Sequence, residues 1–196
     1  MINKIAILFS LLLVSCIQNT ESSNNYLDYS SKEDKLSGGV KIIQIQTPSG
    51  KFNVWTKRIG NNPTKKVLLL HGGPGFDHQY FQAADSYFPK ESIEYYYYDQ
   101  LGSNKSDNPK DESLWTIDRF VNEVEQVRQA LNLNKDNFIL LGHSWGGILG
   151  IEYALKYQNN LKALIISNMV PSIPDYIRYA NDVLAPQLDP EVLKKI

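Results

Sequence analysis

A single cysteine, Cys16, occurs in 196 residues, which excludes an intrachain disulfide and any thiolate metal cluster. Basic stripes are missing as well. Twenty Lys and Arg stand against 21 Asp and Glu for a formal net charge of −1, so the electrostatics give no reason to expect a nucleic-acid partner. No grouping of His, Cys, Asp and Glu has metal-ligand spacing, and neither a metal nor an organic cofactor is expected. Histidine is scarce: His71, His78 and His143 are all there are, and none follows Ser144. Internal repeats are absent. What remains is the composition of a soluble globular chain, 42% hydrophobic and 21% charged, at a length that suits one domain with a core of its own. Its twelve tyrosines favour pockets that hold cyclic or apolar groups.

Ile5 to Val14 is apolar except for Ser10 and follows a short positive start, Met1 to Lys4. As a helix it spans about 15 Å, half a bilayer core, so it reads as a signal h-region and not as a membrane span. Leu13-Val14-Ser15-Cys16 resembles a bacterial lipobox. That resemblance implies lipidation of Cys16 and an exported, membrane-anchored lipoprotein facing the periplasm or the cell surface. A secreted protein cut near Ser15, with an incidental thiol, is the alternative. Residues 17–38 are polar, cannot bury enough surface to fold, and read as a tether. The expected division is therefore residues 1–16 signal peptide, 17–38 tether, 39–170 core domain and 171–196 the beginning of a helical cap.

From Val40 onward the pattern is alternately β and α. Val40, Ile42 (with Ile43 beside it) and Ile45 are set against Lys41, Gln44 and Gln46, which predicts a half-buried strand over 40–47. Thr47-Pro48-Ser49-Gly50 is turn chemistry, and 51–58 returns as a second strand. The apolar runs Val67 to Leu70, Ile93 to Tyr98, Phe138 to Leu141 and Leu161 to Ser167 suit buried parallel strands. The tyrosine run 95–98 is read as strand packing. Between them, Tyr80 to Phe88 looks helical. Ile117, Phe120, Val121, Val124, Val127, Ala130 and Leu131 recur at helical spacing behind Thr116 as N-cap. Trp145 to Tyr157 is a third helix, with Ile148, Ile151, Ala154 and Leu155 expected on one side. The fold class that results is α/β: a mostly parallel sheet with helices on both faces. After Asn168, prolines at 171, 174, 186 and 190 break the chain into short helices, expected over Ile173 to Leu184 and Glu191 to Ile196, that read as a lid.

Gly142-His143-Ser144-Trp145-Gly146-Gly147 carries the chemistry. A strand, a Gly-x-Ser-x-Gly turn and a helix in this order form a nucleophile elbow, in which Ser144 is held at the sheet edge. Gly142 and Gly146 are required there because a Cβ at either place would collide as the strand folds back into the helix. His71-Gly72-Gly73-Pro74-Gly75 follows another strand and offers approachable backbone N–H groups. The amides of Gly73 and Trp145 are the candidate oxyanion donors. Asp99 ends the 93–98 strand and is read as fixing the loop 99–107 through its N–H groups, a structural role.

These three segments, His71-Gly72-Gly73-Pro74-Gly75, Asp99-Gln100-Leu101-Gly102-Ser103 and the Ser144 elbow, together resemble the prolyl aminopeptidases (proline iminopeptidases) of the α/β-hydrolase superfamily over roughly residues 40–196. The resemblance implies release of N-terminal proline, or other N-terminal residues, from short peptides with a free N-terminus, through an acyl-enzyme on Ser144. It departs at Leu101 and Asn104, where many members carry Arg and Gly.

A second departure is larger. In this fold the chain order is Ser, then Asp or Glu, then His. His143 adjoins the serine, His71 belongs to the oxyanion loop and His78 lies just beyond it, so each is a poor base. Asp175, Asp182 and Asp189 fall in the lid segment. The triad acid and base are therefore expected in a C-terminal part beyond this sequence, and the piece as given is expected to be nearly inert. An esterase or amidase on the same scaffold, and a non-catalytic binding module, are the rival readings. A carboxylate-nucleophile dehalogenase or epoxide hydrolase is disfavoured by the serine at 144.

Overall fold

Period-2 patterning builds a six-stranded sheet whose two faces are both covered by apolar groups. In the computed structural model, which describes residues 39–195, the strands are β1 (Val40–Thr47), β2 (Gly50–Ile59), β3 (Lys66–Leu70), β4 (Glu94–Asp99), β5 (Phe138–His143) and β6 (Ala163–Ser167). The signal stretch 1–16 with Cys16, and the segment 17–38, lie outside the described residues. Strand order is β1-β2-β4-β3-β5-β6. The β1–β2 and β2–β4 pairs are antiparallel, whereas β3 pairs in parallel with β4 and β5, and β5 with β6.

Alternation along each strand sorts the core into two clusters. Leu68, Leu70, Tyr96 and Tyr98 pack with Ile43, Ile45, Val54 and the helices α1 (Ile117–Ala130) and α2 (Trp145–Tyr157). Val67, Leu69, Tyr95 and Tyr97 join Trp55 and the partly buried Phe81 and Phe88. Each fully buried leucine here stabilises the fold by about 1.5–3 kcal/mol. All four tyrosines of β4 are buried, as packing residues should be. Their hydroxyls are satisfied: Tyr96 donates to Glu94, Tyr98 to Glu123, and Tyr95 and Tyr97 both to Asp85.

Four expectations are corrected in detail. On β1 the inward residues are Ile43, Ile45 and Thr47, and Ile42 is 54% exposed. The antiparallel register with β2 decides which face is covered, and the two adjacent isoleucines hid that choice. Second, α2 buries Gly146, Gly147, Leu149, Gly150 and Tyr153, not Ile148, Ile151 and Leu155. Glycines let the helix backbone come close to the sheet, so the small side is the inner side. Third, Tyr80 to Phe88 is no α-helix but 3₁₀ turns over Gln79–Ser86 and Phe88–Glu91; His78 provides no side-chain cap, and Pro89 interrupts the second half. Fourth, Ile173–Leu184 splits into α3 (Ile173–Tyr179) and a wider-wound turn over Ala180–Leu184, followed by the short α4 (Pro190–Leu193).

The parallel arrangement matters for function. It brings the carboxyl ends of β3, β4 and β5 to one sheet edge, and with them the loops after Leu70, after Asp99 and at Ser144.

Candidate active site

Ser144 sits between β5 and α2 with φ 55° and ψ −120°, a backbone conformation that a serine adopts only at a cost of about 1–3 kcal/mol. Tertiary contacts hold it there. Its N–H donates to Ser167 O at 3.0 Å, and its carbonyl accepts from Gly147 N at 2.9 Å. The hydroxyl makes no capping bond to α2. A Cβ on Gly142 would lie 2.1 Å from Gly146 O, and one on Gly146 would lie 2.1 Å from Leu70 O. Both glycines are thus demanded by backbone-to-backbone approach, as the collision argument required. Gly72 is close as well: a Cβ there would be 3.1 Å from Ser144 Cβ. The loop of residues 71–75 therefore lies directly against the Ser144 turn.

Within that loop Gly73 has φ +118°, which favours glycine. Among the described residues no protein acceptor is recorded for the amides of Gly73 or Trp145, and Trp145 opens α2, where the helix dipole favours negative charge. Gly75, at φ +92°, completes the turn. Tyr80 braces the loop from outside, its hydroxyl accepting from Gly72 N at 2.7 Å and lying 3.2 Å from His143 Nδ1. Burial pushes the Tyr80 phenol above its usual range, so it stays protonated at neutral pH.

The three histidines are all engaged elsewhere. His71 is fully buried; its Nδ1 meets Gly72 O at 3.0 Å and its Nε2 accepts from Gln100 N at 3.1 Å. Desolvation lowers its pKa below 6.5, which favours the neutral ring. His78 is 5% exposed, lies against Trp55 and Tyr97, and bonds Asp99 Oδ1 at 2.8 Å through Nδ1. Asp99 also accepts from His78 N at 3.0 Å and Lys105 N at 3.3 Å, the loop-fixing role expected of it. His143, beside the serine, turns its ring to Tyr80 and Phe81.

Three contributors carried no assigned role in the sequence reading. Gln100 donates through Nε2 to His71 O and accepts from Trp145 Nε1, both at 3.1 Å. Glu123, 1% exposed, accepts from Leu101 N at 2.9 Å, from the Tyr98 hydroxyl and from Arg119, so a buried carboxylate on α1 supports the loop after β4. Burial pulls Arg119 down to about 10, still protonated at neutral pH. A charged residue on the apolar face of an otherwise regular amphipathic helix was the available signal. Trp115 is the third: with Leu101, Ile117, Phe120, Trp145, Pro74 and Gly75 it borders an apolar cavity of about 440 Å³ at the loop of residues 71–75. Among the described residues no group of three His, Cys, Asp or Glu is arranged to hold a metal ion.

A profile of the alpha/beta hydrolase fold matches residues 65–188. The chain is 61% identical over 155 residues to a proline iminopeptidase of Flavobacterium johnsoniae and 63% identical over 155 residues to one of Chitinophaga pinensis, in each case covering 79% of this chain and 52% of the relative. It thus spans about half the length of the curated relatives it matches. Among solved structures, VinJ superposes with a TM-score of 0.69 at 28% identity (79% of this chain, 52% of that one). Proline iminopeptidase from Mycobacterium smegmatis superposes with 0.67 at 28% identity (78% and 52%). With its β/α order, its strained serine turn and a family match over most of the described residues, the chain belongs to the alpha/beta hydrolase fold family.

Proposed function

We propose that this chain is part of a serine aminopeptidase that releases proline, or another N-terminal residue, from short peptides. The observation that carries the reading is the strained, uncapped Ser144 packed against the Gly72–Gly73 loop; the similarity to proline iminopeptidases supports the substrate class. In this mechanism Ser144 Oγ attacks the carbonyl of the N-terminal residue. The developing oxyanion takes hydrogen bonds from the Gly73 and Trp145 amides, each worth about 3–4 kcal/mol in the transition state. Collapse expels the shortened peptide, and water then hydrolyses the acyl-serine. Because all three histidines are committed to other partners, the base and its orienting acid come from outside residues 39–195. By themselves those residues should turn over substrate poorly. The enzyme is anchored through lipid on Cys16.

Full-length protein is expected to cleave a prolyl-arylamide and to be labelled by a fluorophosphonate at Ser144. Ser144→Ala should abolish labelling and lower kcat by several orders of magnitude. Cleavage of acyl esters with no cleavage of the prolyl-arylamide would overturn the aminopeptidase assignment in favour of an esterase. Loss of lipid labelling in Cys16→Ala tests the anchor.

A further inference from the structure

Gln100 touches both sides of the site, and its bonding leaves no freedom in how it is read. An indole N–H can only donate and a peptide carbonyl can only accept. The side-chain oxygen of Gln100 must therefore face Trp145 Nε1 and its NH₂ must face His71 O, as found. Its own backbone N–H points at His71 Nε2, which forces that nitrogen to be the bare one and places the ring proton on Nδ1, facing Gly72 O at 3.0 Å. The Gly72–Gly73 peptide is not among the cis bonds, so its C=O and N–H point in opposite directions across one plane. Gly72 O is held by His71 Nδ1 and also accepts from Phe76 N at 3.3 Å, and fixing it aims the Gly73 N–H.

We propose that Gln100 is a positioning residue for both oxyanion donors: its side-chain NH₂ holds the His71 carbonyl at the start of the loop that carries the Gly73 amide, its side-chain oxygen holds Trp145 through the indole, and its backbone N–H, which any residue here would supply, keeps the His71 tautomer. This rests on the serine-hydrolase reading above. Neither link touches substrate. Both act on groups whose direction matters, since an oxyanion donor works only when aimed at the position the charge will occupy, and a displacement of about 1 Å can cost on the order of 100-fold in rate. The Gln100 amide presents the donor and the acceptor on one rigid plane; an ionised Glu supplies acceptors alone, and Leu supplies neither.

The test uses full-length protein, with active sites counted by the end point of fluorophosphonate labelling, so that unfolded molecules drop out. Gln100→Leu is expected to lower kcat per labelled serine by about 10- to 100-fold, with KM changed less than threefold. Affinity for a peptide aldehyde, which forms a tetrahedral adduct, should fall in step with kcat. Trp145→Phe keeps the amide and removes the indole N–H, so it should reproduce part of that loss. In the Gln100→Leu/Trp145→Phe double variant the indole link is already gone, and the two effects should combine to less than their product. For the other link, His71→Asn keeps a donor near the Nδ1 position and should retain more activity than His71→Leu. Unchanged kcat per labelled serine in Gln100→Leu, or full multiplicativity in the double variant, would overturn the proposal while leaving the hydrolase reading intact. A wild-type protein that neither labels nor turns over would instead sink that reading.

Discussion

Ser144 gives up backbone comfort to expose a hydroxyl, and its neighbours at 142 and 146 give up side chains so that it can. Gly146→Ala would drive a methyl group to about the 2.1 Å computed for its Cβ against Leu70 O, a contact with backbone that cannot rotate away. Overpacking of this kind costs about 1–3 kcal/mol or more. The expected outcome is a lower denaturant midpoint together with slow fluorophosphonate labelling of Ser144. His71 makes a different prediction. Its folded pKa lies below 6.5 because burial penalises the imidazolium, so the unfolded chain takes up the proton first. The stability it contributes is complete above pH 6.5 and is lost as the pH falls from there towards the folded pKa. Denaturant midpoints should therefore drop between pH 7.5 and 5.5, and His71→Asn should flatten that part of the curve. Glu125 acts lower down: burial alone would raise its pKa, but bonds from Arg128, Tyr153 and Gln129 outweigh that and lower it, so its contribution is lost only as pH falls below about 4.5, the ordinary value for this carboxyl.

Among the elements, α1 holds the loop after β4 through its buried ion pair. Glu123 joins Arg119 one turn earlier, the Tyr98 hydroxyl in β4 and the Leu101 amide in the following loop. Glu123→Leu would strand Arg119 in a buried place and leave two donors unmatched, a loss of about 3–5 kcal/mol, read as a fall in thermal midpoint. Thr116→Ala is a milder control. The Thr116 hydroxyl caps α1 from 3.4 Å, a long bond, so the cost should sit near the low end of the capping range, about 0.5 kcal/mol. The difference between these two variants measures how much more the tertiary network contributes than the helix end does.

At the scale of the whole molecule, the described sheet carries apolar groups at an open side. Ile165 and Ile166 on β6 are each 45% exposed, and Leu155 on α2 is 74% exposed. Such a strand templates association with other chains. Residues 39–195 expressed alone are expected to self-associate with rising concentration, as light scattering would show, and Ile166→Lys should reduce this. Full-length protein should stay dispersed.

Much of this was legible in the residues themselves. Alternation marked the strands, the 3.6 period marked α1 with its Thr116 cap, and Gly-x-Ser-x-Gly between a strand and a helix marked the elbow, because each signal is local and repeats over several positions. The inner face of α2 was misread, since a glycine side counts as weakly apolar in any pattern but is the side that can approach a sheet most closely. Gln100 and Tyr80 left no periodic trace at all. Their hydrogen-bond partners lie 8 to 63 positions away in the chain, and only the parallel sheet, by bringing the ends of β3, β4 and β5 to one edge, makes them neighbours. Sequence alone determined which chemistry was possible, because the strained turn is encoded within six consecutive residues. Tertiary structure decided how the amides and the histidines are aimed, because hydrogen-bond direction is fixed by groups that meet only once the chain has folded.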